Sequence, residues 1–207
     1  MPLDAAENIY RAAIRLFGER GYPSTSMRDI SSAVGVLPGS LYTHITSKQA
    51  LLLQIVENGI QKYLDAVRPL ATTAEPADIR LREAIKAHVK VAGDNIQLSL
   101  VTFHQWKHLD DETRRRVVGL RNTYQAYFSR IIEDGIEAGI LRPMVHPSLA
   151  VLAVLGMLNW VPEWFSPSGP ATADEVGDHL ADVILEGLLE VRPPAAPIDD
   201  AAAAANA

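Results

Sequence analysis

Residues 21–52 limit the possible folds of this chain more than any other stretch. They contain two short helical patterns on either side of Gly35, a residue that readily takes the positive φ of a tight turn. The pattern Ser26-Met-Arg-Asp29 is that of a capping box, which opens the first helix. Pro38 suits the first position of the second helix, which we expect to end near residue 44. The stretch therefore predicts a helix-turn-helix.

A helix-turn-helix binds DNA with the start of its second helix facing the base edges, while the first helix lies against the backbone. Small and hydroxyl side chains allow close approach there, and longer polar side chains donate hydrogen bonds to phosphates. Residues 1–50 carry five basic and four acidic side chains, whereas the whole chain has a net charge of -6. The acidic body repels a polyanion everywhere except at this end. The predicted DNA-binding residues are Thr25, Ser26, Arg28, Leu37, Pro38, Gly39, Ser40, Tyr42, Thr43, His44 and Lys48.

Helical periodicity also dominates the rest of the chain, and we find no alternation typical of strands. An amphipathic helix precedes the helix-turn-helix, and a long helix over 47–67 follows it and connects it to the body. Further helices are expected at about 78–93, 95–108, 111–138, 147–164 and 174–191. We therefore predict an all-α chain with a DNA-binding domain over 1–50, a helical body over 51–191 and a disordered, proline- and alanine-rich tail over 192–207.

The N-terminal motifs occur in a fixed order: Leu16-Phe17, Gly21-Tyr22, Thr25, Arg28-Asp29-Ile30, Val34-Gly35-Val36, Gly39-Ser40-Leu41-Tyr42, and Ser47-Lys48 with Leu51. In this order they resemble the TetR family of ligand-responsive transcriptional regulators. Two positions depart from the family pattern, because Leu37 replaces a helix-capping serine and Ile45 replaces a phenylalanine. The resemblance implies a homodimeric repressor with a C-terminal ligand-binding and dimerisation bundle, which releases its operator when a small apolar or amphipathic effector binds.

The last predicted helix carries an apolar stripe that includes Gly187, where another helix can approach closely. The resemblance implies that two such helices from each subunit form a four-helix dimer interface. The alternative, a stripe packed within its own subunit, stays open. The predicted interface residues are Val176, Leu180, Val183, Ile184, Gly187, Leu188 and Val191.

Aromatic side chains gather in the second half of the chain. Such a cluster is more often plain core than a binding site, but the resemblance favours an apolar pocket with a few polar side chains. The segment from Trp160 to Pro170 also resembles a branch that controls lipid or steroid breakdown and senses acyl-CoA thioesters, although Glu163 and Ser166 stand where that branch tends to carry arginines. The resemblance implies a fatty-acid, aromatic-acid or steroid-derived effector, free or as its CoA thioester. The predicted pocket residues are Phe103, His104, Trp106, Tyr124, Tyr127, Phe128, Met157, Asn159, Trp160 and Trp164.

Several other classes of protein find little support in the sequence. There is no cysteine and no signal-peptide pattern, and the longest apolar run, 149–161, is too short to cross a bilayer of about 30 Å. We expect a cytoplasmic protein without a membrane segment. His104 and His108 share one helical face but lack a third metal ligand nearby, and no catalytic or nucleotide-binding motif occurs. We expect no cofactor, no metal and no enzymatic activity.

Three alternatives to a ligand-responsive repressor remain open at this stage. The same head suits an activator or a regulator controlled by a partner protein. A helical scaffolding dimer would share the C-terminal stripe but has no use for the 21–52 pattern. An enzyme built on the face of His104 and His108 would need a metal.

Overall fold

The computed structural model describes residues 5–143 and 146–189 of the 207-residue chain. Over these residues the fold is built from helices, which confirms the predicted all-α class. The α-helices are α1 (Ala5–Arg20), α2 (Met27–Val34), α3 (Pro38–Leu41), α4 (Lys48–Val67), α5 (Ala77–Asp94), α6 (Ile96–Leu100), α7 (Asp111–Glu137), α8 (Pro147–Asn159), α9 (Val161–Trp164) and α10 (Ala173–Leu188). The predicted tail over 192–207 lies outside the described residues.

The first three helices form a small head around a shared apolar core. Phe17 of α1, Ile30 of α2 and Leu41 of α3 are fully buried in it. The capping box at the start of α2 is formed in both directions between Ser26 and Asp29. Gly35 ends α2 with a φ of 73°, a left-handed conformation that glycine adopts without steric cost. These local signals set the angle between α2 and α3 and turn one face of the head outward.

Helix α4 belongs to both the head and the body. Ser47 caps it, because its hydroxyl accepts a hydrogen bond of 3.0 Å from the backbone N–H of Ala50. Nearly every turn of α4 then carries a buried apolar residue, from Leu51 to Val67. At Gly59 the helix comes so close to Thr102 that a Cβ would collide with the threonine hydroxyl. The lack of a side chain at this position thus lets α4 pack directly on the segment that follows α6.

Two of the predicted long helices are interrupted. The one expected over 95–108 is α6 followed by a π-helix, Val101–Gln105, and a 3₁₀ turn, Trp106–His108. The one expected over 147–164 is divided into α8 and α9. Pro162 explains the division, because it has no N–H to donate and its ring clashes with the carbonyl group four residues earlier.

The body is a bundle in which α7 packs on α4, α5 and α8, and α10 packs along α5. Gly177 of α10 lies close to the backbone of α5, where its Cβ would stand 3.2 Å from the Cα atom of Lys86. Two ion pairs flank this contact, Lys86 with Asp178 at 2.8 Å and Arg82 with Asp182 at 2.6 Å. One face of α10 is therefore used within the subunit, and the opposite face stays open.

Candidate DNA-binding surface and ligand cavity

The outward face of the head carries most of the predicted DNA-binding residues. Leu37 and Tyr42 are 79% and 55% exposed. Leu37 occupies the N-cap position of α3 and makes no side-chain cap, so the N-terminal amides of this helix lack the capping hydroxyl of a serine. The exposed members of the predicted set are Ser26, Arg28, Leu37, Pro38, Gly39, Ser40, Tyr42, Thr43 and His44.

Two residues of the predicted DNA-binding set instead make hydrogen bonds inside the head. Thr25 is 1% exposed, and its hydroxyl donates to the carbonyl oxygens of Leu16 and Gly21 at 3.2 and 3.0 Å. The ammonium group of Lys48 donates to the carbonyl oxygen of Tyr22 at 2.5 Å and lies 4.0 Å from the centre of its ring. Partial burial lowers the pKa of Lys48. Both side chains hold the α1–α2 loop in place, so the structure gives them a positioning role.

A cavity of about 360 Å³ lies within the body between α4, the π-helix segment, α7 and α8. Four of the predicted pocket residues line it: Phe103, Trp106, Tyr124 and Asn159. The other lining residues are Ile60, Tyr63, Val118, Arg121, Asn122, Gln125, Leu152, Leu155 and Gly156. The wall is mostly apolar, as is usual for a small-molecule site, with polar side chains on α7 and at the end of α8.

The remaining predicted pocket residues lie elsewhere. Phe128 is fully buried in the core and Tyr127 is partly buried against it. The side chains of Met157, Trp160 and Trp164 are 39%, 58% and 52% exposed on the outer surface. The structure therefore divides the aromatic cluster among core, cavity and surface, a division that composition does not reveal.

His104 is not among the residues that line the cavity, and its Nε2 atom lies 3.0 Å from Oε1 of Glu163. In the part of the chain that the structure describes, no three histidine or acidic side chains come together as a metal site would require. No described helix combines the length and apolarity needed to cross a membrane.

The segment 103–108 contributes residues both to the cavity and to contacts with the head. Phe103 and Trp106 line the cavity. The Gln105 side chain accepts a hydrogen bond of 3.0 Å from the backbone N–H of Tyr22, and the carbonyl oxygen of His108 accepts one of 2.8 Å from the Gln49 amide. Phe103 and Trp106 are three residues apart, as are Gln105 and His108, and residues three apart lie on the same side of a helical turn. The two cavity residues and the two head contacts therefore alternate along the segment. One short segment thus touches both the cavity and the head.

Several large apolar side chains of α8 and α10, and two tryptophans at α9, are exposed at the surface. Leu149 and Leu152 are 60% and 53% exposed, close to the values of the two surface tryptophans. Of the predicted interface residues on α10, Val183 and Gly187 are exposed, and Leu180 is partly buried. Val176, Ile184 and Leu188 are instead buried within the subunit, and Val191 lies outside the described residues.

Comparison with known proteins gives matches over nearly the whole described chain. Residues 9–55 match the family described as bacterial regulatory proteins, tetR family, and residues 74–188 match the tetracyclin repressor-like C-terminal domain. The HTH-type transcriptional repressor KstR2 of Mycobacterium tuberculosis is 28% identical over 179 residues, which are 85% of this chain and 88% of that protein.

Two solved structures have the same fold. The regulator PfmR from Thermus thermophilus is 33% identical, with a TM-score of 0.80 over 88% of this chain and 99% of its own. AibR, solved in complex with isovaleryl coenzyme A and operator DNA, is 26% identical, with a TM-score of 0.78 over 90% of this chain and 98% of its own.

A buried polar pair supports the cavity from behind. His88 is fully buried, and its Nδ1 atom lies 2.7 Å from the hydroxyl of Tyr124, a cavity residue. Burial lowers the pKa of His88 to about 3, because the charged imidazolium would lose its hydration. Between this value and the ordinary pKa of 6.5, the unfolded chain binds one more proton at this site than the folded chain.

We therefore expect the free energy of unfolding to fall as the pH drops below about 6.5, with His88 contributing up to about 1.4 kcal/mol per pH unit. Urea unfolding at pH 7.5, 6.0 and 5.0 measures this slope. His88→Gln, which cannot take up the proton, should have a shallower slope than the wild type. His44→Gln, at an exposed position of the head, should keep the wild-type slope. A slope unchanged in His88→Gln would assign the proton uptake to another group.

Proposed function

Since the chain belongs to the TetR family of bacterial regulatory proteins, we propose that it is a dimeric transcriptional repressor controlled by a small effector. It binds operator DNA through the outward face of the head and releases it when an apolar or amphipathic molecule fills the cavity. The observation that carries this proposal is the segment 103–108, which lines the cavity with two side chains and is hydrogen-bonded to Tyr22 through the Gln105 side chain and to Gln49 through the His108 carbonyl oxygen. The function is regulatory rather than catalytic, and it operates at the chromosome, in the cytoplasm.

Operator binding rests on the exposed side chains of the α2–α3 face. Arg28 and Tyr42 supply donors for phosphate oxygens, whereas Gly39 and Ser40 are small enough for α3 to approach the base edges. α3 itself covers only one helical turn, so its position relative to α2 matters more than its length. In a symmetric dimer, two such heads would read half-sites about 34–36 Å apart on one side of the duplex.

Release requires that the effector bind the DNA-free conformation more tightly than the DNA-bound one. A hundredfold change in operator affinity corresponds to about 2.7 kcal/mol of coupling free energy. The hydrogen bonds from Tyr22 to Gln105 and from Gln49 to His108 contribute about 0.5–1.5 kcal/mol each. Displacing Phe103 and Trp106 from the cavity wall would strain both, and the two bonds together amount to about 1–3 kcal/mol, a range that includes the required coupling free energy.

The relatives favour an effector with an acyl or ring-shaped apolar part. AibR was solved with isovaleryl coenzyme A, and the M. tuberculosis KstR2 structure is described as a ketosteroid transcriptional regulator. For this chain we propose a fatty-acid, aromatic-acid or steroid-derived molecule, free or as its thioester. Ile60, Phe103 and Leu155 provide apolar wall for such a group.

The apolar outer face of α8, α9 and α10 is the proposed dimer interface. A monomer that left Leu149, Trp160 and Val183 in water would keep a large apolar patch exposed, which soluble proteins rarely do. Pairing this face with a second copy about a twofold axis buries it and sets the spacing of the two heads.

The first test concerns the DNA contacts. Tyr42→Ala should weaken binding to all operator variants alike, by roughly 1 kcal/mol for one phosphate hydrogen bond. Arg28→Ala should also lower the slope of log K against log salt by about 0.9. Fluorescence anisotropy with duplexes from the promoter of its own gene and of neighbouring genes measures both. Arg130→Ala, at an exposed position on α7, is the matched control and should leave both quantities unchanged. If both head variants bound operator DNA as tightly as the wild type, this face of the head would not be the DNA-binding surface.

The second test concerns coupling. In the double variant Gln49→Ala with Gln105→Ala, bound octanoate or 2-naphthoate should still change the tryptophan emission. The ratio of operator affinities without and with the probe should fall towards one, because the segment no longer holds the head. Gln61→Ala is the control, since its amide hydrogen-bonds only Asp65 on the exposed side of α4. If the double variant kept the wild-type ratio of operator affinities, the segment 103–108 would be excluded as the connection between the cavity and the head.

The third test concerns the interface. Leu149→Glu combined with Val183→Glu should place buried charges in the dimer and shift sedimentation towards the monomer. Leu37→Glu adds charge at an even more exposed apolar position of the head, and its dimer should sediment like the wild type. Undiminished dimerisation of the double variant would place the interface on another face.

A further inference from the structure

A single side chain among the lining residues of the cavity carries a formal charge, the guanidinium of Arg121 on α7. It lies 4.9 Å from the centre of the Trp106 ring. Among the described residues, no aspartate or glutamate lines the cavity and none forms an ion pair with Arg121. Arginine stays protonated even where burial lowers its pKa, as it does here. The cavity therefore holds a partly buried positive charge whose only described partner is the face of an indole ring.

Several other arginines of the body form ion pairs with carboxylates. Arg80 is buried and donates to the carboxylate of Asp134 at 2.9 Å. Arg116, five residues before Arg121 on α7, pairs with Glu57 at 2.6 Å. Arg114 pairs with Asp111 one turn earlier. Within the described part of the chain, Arg115 and Arg130 on α7 also lack an ion pair, but both are exposed to solvent, whereas Arg121 is partly buried and lines the cavity, where a bound molecule can supply the missing anion.

The remaining polar groups of the cavity point to the same part of its wall. The hydroxyls of Tyr63 and Tyr124 are already engaged with Ser99 and His88, each at 2.7 Å. Asn159 at the end of α8 has a buried Oδ1 atom without a hydrogen-bond partner among the described residues. Asn122 and Gln125 flank Arg121 on α7. Unused hydrogen-bonding capacity is thus carried by α7 and the end of α8, whereas α4 and the π-helix supply Ile60 and Phe103.

We propose that Arg121 is the anion anchor of the cavity and that its ligand is a compact apolar molecule bearing one carboxylate. This inference rests on the proposed function and specifies the class of effector. A guanidinium donates two parallel hydrogen bonds to the two oxygens of a carboxylate, whereas a neutral carboxamide offers a single oxygen acceptor. The volume of about 360 Å³ lies at the low end of small-molecule sites. It encloses a short acyl chain or a fused ring system, whereas the coenzyme part of a thioester would have to remain outside.

The same anchor connects ligand charge to the head. Trp106 begins the 3₁₀ turn whose last residue, His108, accepts the hydrogen bond from Gln49. A carboxylate that draws the guanidinium away from the Trp106 ring changes the support of this turn. A neutral molecule of the same shape fills the cavity but leaves the Arg121 guanidinium against the ring of Trp106.

The experiment compares acids with their neutral amides in the full-length protein. Octanoate and octanamide, and 2-naphthoate and 2-naphthamide, are titrated while tryptophan emission reports binding and fluorescence anisotropy reports operator release. The wild type should bind each acid at least tenfold more tightly than its amide. In Arg121→Gln the preference should fall below threefold while the amide affinity stays the same. Arg121→Lys, which keeps the charge but not the paired donors, should lie between the two.

Arg115→Gln is the matched control, because Arg115 is exposed on the same helix. It should behave like the wild type, and circular dichroism should give the same helicity and melting temperature for all variants. Equal binding of acids and amides by the wild type, with operator release by both, would overturn the anchor and leave the proposed repressor intact. Octanoyl-CoA binding that depends on Arg115 rather than Arg121 would also overturn it, by placing anion recognition outside the cavity. Failure of every probe to bind, with operator binding preserved, would overturn both the anchor and effector control.

Discussion

The arrangement of head and body depends on what holds Tyr22. Its backbone N–H donates to the Gln105 side chain, and its carbonyl oxygen accepts from Lys48 at the start of α4. Its ring packs edge-on against Phe17 and stacks on His108, with centroid distances of 5.2 and 5.8 Å. One residue of the α1–α2 loop is therefore bound to the head core, to α4 and to the segment beyond α6. The head cannot rotate relative to the body without breaking one of these contacts.

The π-helix makes this connection possible. A regular α-helix over 95–108 would follow a different rotation, since a π-helix closes its hydrogen bonds over five residues and the 3₁₀ turn over three. The change in pitch directs Phe103 and Trp106 to the cavity while Gln105 and His108 reach the head. Gly59 completes the arrangement, because any larger residue would push α4 away from Thr102. In the proposed mechanism, the irregular segment is where a small displacement in the cavity would reach Tyr22.

The sequence predicted the head well because its signals are local. The capping box of Ser26 and Asp29 and the turn at Gly35 involve neighbours in the chain. The cavity depends on how distant helices meet, and aromatic content alone did not separate Phe128 in the core from Trp160 on the surface. The sequence did not predict Arg121 as a cavity residue, because the predicted pocket was based on aromatic side chains. Its spacing from Tyr124 on α7 would have placed it near the same side of the helix.

Helix α8 belongs both to the cavity wall and to the proposed dimer face. Leu152 and Gly156 line the cavity and are also exposed on the outer face proposed for the dimer. A second subunit packed on this face would restrict the movement of α8 and fix one wall of the cavity. Conversely, a ligand that displaces Leu152 would alter the surface on which the partner packs. In the proposed dimer, effector binding and subunit packing would act on the same helix, so the distance between the two heads and the contents of the two cavities would be linked through α8 as well as through Tyr22.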